Sequence, residues 1–277
     1  MTIVDARTLD SANAEWLDGF EVRRLQLLHR DWPWDPKEVD FGANAITALA
    51  LGREREAANA ILSRFADWFV LPPPAGMTHT GECDFAALKL CRAAHQFPGT
   101  SALNATAREK LRGFFLGNDF ASIYQSENHA LIFHVSRFLM AQLWPDGLFS
   151  AWGKTGGGLL EEDAEWLKLF LRYRAARGWA EFDSLCYLAP VWECLTCLFD
   201  FSEDAELVSL AEKMMNLLLA EMASESLDGR YGGAHGRIYP RHALNQDTSP
   251  ARHLYYLYFG GALPAQEHDN NFAASTF

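Results

Sequence analysis

Tyr124-Gln-Ser-Glu-Asn-His-Ala-Leu-Ile-Phe-His134 opens an apolar run that reaches Trp144, and it begins with three chemically capable residues, Glu127, Asn128 and His129. Leu131, Ile132, Val135, Phe138 and Leu139 fall on one stripe at helical spacing, which predicts a buried amphipathic helix over about 126–144. Asn128 lies on its buried side. In the first turn of a helix the backbone N–H groups lack helical partners and the dipole is positive, so an anion is welcome there. Ser126, Glu127 and Asn128 are also ordinary residues for a helix start. The functional weight therefore has to come from the rest of the chain.

The same 3.6-residue reading predicts helices at about 11–30, 38–51, 54–70, 83–97, 104–116, 161–177, 185–200 and 203–224, with a tenth near 250–260. Strand patterns are nearly absent, and Pro- and Gly-rich breaks separate the helices, among them Gly156-Gly-Gly158. The chain is read as all-α. Pairing the helices gives hairpins that begin near 11, 54, 104, 161 and 203. Such spacing is the mark of stacked helical hairpins. It predicts an incomplete α/α toroid of about five hairpins in a single domain spanning 1–277, with a polar tail from about 262. An ordinary multi-helix bundle is the alternative.

With 277 residues, 49% of them hydrophobic, the chain can bury a large core. Its formal net charge of −12 speaks against a nucleic-acid partner, because phosphate binding needs a basic surface. The first ten residues lack a basic stretch followed by an apolar one, and no segment offers about 18 uninterrupted apolar residues. A soluble protein without an export signal or membrane partner is expected. The five cysteines lie mostly among apolar neighbours, and Cys194-Leu-Thr-Cys197 has neither a second pair nor a nearby histidine to make a zinc site. No metal or cofactor is expected.

Polar residues cluster near the start of each second helix: Asp40, then Glu82 and Asp84, then Glu127, Asn128 and His129, then Glu181, Asp183 and Tyr187. After the ninth helix come His235, Arg237 and Tyr239. Parallel second helices in one inner ring would bring these clusters to a single concave site. The stretch 228–242 packs four glycines, three arginines (Arg237 and Arg241 among them), two histidines and two tyrosines into 15 residues. Glycine density lets backbone approach a ligand, and the positive charge stands out in an acidic chain, so an anionic substrate is expected there. Trp32, Trp34, Trp152 and Trp179 lie in or beside loops and suit sugar stacking or hairpin-end packing equally.

Ser126-Glu-Asn-His129, Gly178-Trp-Ala-Glu-Phe-Asp-Ser184 with Tyr187, the run 199–211 and Gly232-Gly-Ala-His-Gly-Arg-Ile-Tyr239 together resemble the α/α-toroid domains of bacterial carbohydrate-active proteins, including heparinase-like and alginate-lyase-like polysaccharide lyases. The likeness covers roughly residues 40–240. It implies that Asn128 and His129, with Tyr187 first and Tyr239 second as the tyrosine, carry a β-elimination on a uronate-containing glycan. Asn128 with Arg237 would neutralise the carboxylate, His129 would take the C5 proton and the tyrosine would protonate the leaving oxygen. Glu127, Glu181, Asp183, His235, Arg241, Glu82 and Asp84 would line the substrate site. Such lyases commonly add a β-sandwich and an export leader, which this chain does not display. Two other functions fit the same residues: a glycoside hydrolase with two of Glu82, Asp84, Glu127, Glu181 and Asp183 as its carboxyl pair, and a non-catalytic binding module or a small-molecule isomerase or cyclase working in a helical cavity.

Overall fold

A computed structural model describes residues 6–29, 41–99, 101–227 and 230–264. Those residues are all-α apart from two short ribbons. The helices are α1 (Ala6–Leu28), α2 (Ala43–Ala50), α3 (Arg55–Ala66), α4 (Cys83–Gln96), α5 (Ala105–Gly117), α6 (Glu127–Leu143), α7 (Gly156–Arg177), α8 (Leu188–Phe201), α9 (Ala205–Glu225), α10 (Pro240–Leu244) and α11 (Ala251–Phe259). Leu148–Phe149 pairs antiparallel with Lys154–Thr155, and Ser226–Leu227 with Arg230–Tyr231.

Local chemistry sets several of these boundaries. Asn104 accepts from Ala107 N at 2.8 Å to start α5, and Asp204 accepts from the N–H groups of Glu206 and Leu207 to start α9. Both are side-chain caps for donors that have no helical partner. Pro190 sits within the first turn of α8, where its missing N–H costs nothing. Helix α7 begins five residues before the expected 161, at Gly156, inside the glycine run read as a break. The reason is packing: a Cβ on Gly156 would meet the Ala141 carbonyl oxygen at 2.7 Å and would collide with that of Trp144. Gly156 and Gly157 instead donate backbone bonds to Gly147 and Pro145, so the glycines bring α7 against the end of α6.

Packing separates the long helices into two layers. Helix α4 packs on α2 and α6, and α6 on α8; outside them, α3 packs on α2 and α5, α7 on α6 and α9, and α9 on α8. Helix α11 packs on α8 and α1. Among the described residues α2 and α11 share no extensive contact, so helix packing by itself does not close this row into a ring. The core runs continuously through the layers, with Trp68, Phe65, Phe114, Phe115, Phe120 and Trp192 fully enclosed. The α6 stripe behaves as its spacing requires, since Leu131, Ile132, Val135 and Leu139 are completely buried. All five cysteines are buried and none forms a disulfide; burial pushes the Cys197 thiol up to about 12.

Candidate functional site

The N-terminal ends of the inner helices border one cavity of about 550 Å³. Ala43 opens α2, Glu82 and Phe85 flank the start of α4, His129 lies in the first turn of α6, Ala189 and Pro190 in that of α8, and Pro250 precedes α11. A wall of Tyr187, Arg237, Tyr239, Arg241 and His242 completes it. The volume lies in the range usual for small-molecule sites.

His129 is the best-organised group in the cavity. Its Nδ1 lies 2.6 Å from Asp84 Oδ2, and both side chains are buried. A carboxylate accepts the Nδ1 proton and leaves the lone pair on Nε2, which has no hydrogen-bond partner among the described residues. The rings of Phe85 and Tyr124 pack on either side, with centroids 5.1 and 5.6 Å from that of the imidazole. Burial raises the Asp84 carboxyl above its ordinary range, and the bond from His129 opposes that rise.

Opposite stands a bonded tyrosine pair. The hydroxyls of Tyr187 and Tyr239 are 2.6 Å apart, and Arg237 Nη2 donates to the Tyr239 oxygen at 3.3 Å. The Arg237 guanidinium also lies over the Tyr187 ring, 4.2 Å from its centroid. Burial, and then the bond with Tyr239, pushes the Tyr187 hydroxyl far above the ordinary tyrosine value, so its proton is held.

A supporting network fixes this wall. Glu127 accepts from the backbone N–H of Ala180 and Glu181 and pairs with Arg174 at 2.9 Å. Glu181 in turn accepts from Asn128 Nδ2 and, at 3.0 Å, from Arg237 Nη1. The loop at 232–239 docks on the loop at 180–184: Gly236 N donates to the Phe182 carbonyl at 2.8 Å, and His235 Nδ1 lies 2.7 Å from the Asp183 carbonyl oxygen. A Cβ on Gly236 would come within 2.6 Å of the Ala180 oxygen, which is the close approach the glycines allow.

The expected residues therefore divide into two groups. His129, Tyr187, Tyr239, Arg237, Arg241 and Glu82 line the main cavity, and Asp84 reaches it through His129. Asn128 is fully buried and bonds Glu181; Glu127, Asp183 and His235 hold loops together and do not line the main cavity. Glu181, Asp183 and Glu127 line a smaller cavity of about 320 Å³ beside Trp179, with Tyr187 as the side chain common to both. Trp152 is packed among Phe120, Phe133 and Phe149. Asp40, Trp32 and Trp34 lie outside the described residues.

Sequence reasoning passed over Tyr124, Lys89, Glu193 and His242, all of which line the main cavity. The signal for two of them was present, since Lys89 and Glu193 are charges set in otherwise apolar helical segments. No protein family, characterised protein or solved structure matches the chain. Among the described residues there is no group of histidine, cysteine and carboxylate side chains arranged to hold a metal ion, and no helix long and apolar enough to cross a membrane.

Proposed function

We propose that the chain is an enzyme that abstracts a proton next to a carboxylate and expels the β-substituent, acting on a uronate-containing saccharide in an α/α toroid. The carrying observation is the Asp84–His129 pair, whose Nε2 has no protein partner, in a cavity that also holds Arg237 and the tyrosine pair. In this reading His129 is the base and Asp84 fixes its tautomer, much as a carboxylate orients the histidine of a hydrolytic triad. Arg237, assisted by Arg241, binds the substrate carboxylate and favours the negative charge that develops on it. Tyr239, hydrogen-bonded to Tyr187, delivers a proton to the leaving oxygen. The C5–H bond breaks, its electrons form the C4–C5 double bond, and the C4–O bond breaks as that oxygen takes the tyrosine proton. Asn128 acts indirectly, by holding Glu181 against Arg237.

A paired-carboxylate hydrolase has less support. Glu127 is committed to Arg174 and two backbone donors, Glu181 to Asn128 and Arg237, and Asp84 to His129, which leaves no evident acid and nucleophile of the kind hydrolysis needs. Purified protein should be incubated with alginate, pectate and unsulfated glycosaminoglycans while ultraviolet absorbance of the new double bond is followed. Absorbance growing with time is expected. Reducing ends released without absorbance would replace elimination with hydrolysis.

A further inference from the structure

Lys89 of α4 and Glu193 of α8 carry opposite charges into the wall of the main cavity from two different helices. The Lys89 ammonium donates to Glu193 Oε2, and the two residues are 9% and 1% exposed. The second carboxylate oxygen, Oε1, is buried without a hydrogen-bond partner among the described residues. As a clamp between helices this arrangement gives little. Two charges must be desolvated, and well-packed apolar side chains join helices as well or better. The surroundings already supply such packing, with Leu88 and Ala189 beside the pair in sequence or cavity.

At a cavity wall the same pair has a use. An ammonium carries three donors, and a carboxylate oxygen without a partner is an acceptor waiting for one. Adjacent hydroxyls on a sugar ring match that pattern, because one oxygen can accept from Nζ while its neighbour donates to Oε1.

We propose that Lys89 and Glu193 are substrate-binding residues that read a vicinal diol, making the site specific for a hydroxylated ring rather than for any small carboxylate. The proposal rests on the uronate reading above. Arg237 holds the carboxylate edge of the ring and the Lys89–Glu193 pair holds another edge. A ligand without hydroxyls leaves buried polar groups unpaired, which is the strongest form of discrimination available to a binding site.

The test compares two acids by NMR titration of the whole protein: D-glucuronate, and tetrahydropyran-2-carboxylate, which keeps the ring and the carboxylate and lacks the hydroxyls. Wild type should bind glucuronate about 10-fold or more tightly than the bare acid. Removing Lys89 alone would strand the Glu193 charge, so the variant is the double substitution K89M/E193L. It should bind the bare acid as wild type does and lose the preference for glucuronate. Equal binding of both acids by wild type, or a preference kept by the folded double variant, overturns the diol assignment while leaving the anion site intact. Failure of wild type to bind either acid overturns the uronate reading itself. Should the double variant not fold, acetylation of Lys89 in wild type, followed by mass spectrometry, decides: glucuronate must slow it and tetrahydropyran-2-carboxylate must not, and equal labelling with both overturns the proposal.

Discussion

Asp84 Oδ2 and His129 Nδ1 are 2.6 Å apart, joining the first turns of α4 and α6 at the edge of the cavity. Asp84→Asn keeps the shape but presents an amide that can also donate to Nδ1, which would move the ring proton to Nε2 and remove the base. Elimination by this variant should fall by at least about 100-fold in kcat with KM little changed, the scale usual for losing a general base. An unchanged kcat would remove His129 from the chemistry. His129→Ala should be equally inactive, and it should also lower Tm, because it leaves the buried Asp84 without its partner.

Arg237 is paired with Glu181, but its side chain is 44% exposed, so the pair adds little to stability. Arg237→Ala should raise KM for an anionic substrate about 10-fold or more while Tm stays within a few degrees. A large fall in Tm with KM unchanged would make this arginine structural.

Tyr239→Phe removes the hydroxyl that accepts from Arg237 and contacts Tyr187. Its kcat should drop by about 100-fold on a substrate with a poor leaving group, and by much less on one whose leaving oxygen needs no proton. Equal losses on both substrates would exclude proton donation by this residue.

Glu127 bonds two backbone N–H groups and Arg174 with its side chain almost wholly buried. Glu127→Ala strands Arg174 and should cost about 3 kcal/mol, read from chemical denaturation, the scale for breaking a buried pair. Retained stability would show that the loop at 178–184 is held by other contacts.

Glu221 gives a pH dependence with a defined sign. Burial, then repulsion from Asp183 and Glu225, raises its carboxyl above the ordinary value of 4.5. The folded chain therefore binds this proton more tightly than the unfolded chain, and the resulting stability is fully present below pH 4.5 and lost as pH rises through the raised value. Glu221→Gln should match wild type in Tm at the acid end of that window and exceed it at neutral pH. A gap that does not change with pH would assign the effect to packing.

The sequence by itself determined the helices, because the 3.6-residue stripe of Leu131, Ile132, Val135 and Leu139 can be buried in only one way, and caps such as Asn104 and Asp204 act within three residues of themselves. It also marked His129, Arg237, Tyr187 and Tyr239, since polar residues at helix starts and a glycine-rich basic loop are local patterns. Tertiary structure alone decided which of them share a cavity. Asn128 and His129 are neighbours in the chain, yet a helix turns successive side chains about 100° apart, so one bonds Glu181 in a buried network and the other faces the cavity. The Asp84–His129 and Lys89–Glu193 pairs span 45 and 104 residues. Their partners are chosen by how α4, α6 and α8 pack, and no local rule carries that information. For the same reason Gly156 begins a helix instead of breaking one: its lack of a side chain matters to the end of α6, a neighbour that only the folded chain supplies.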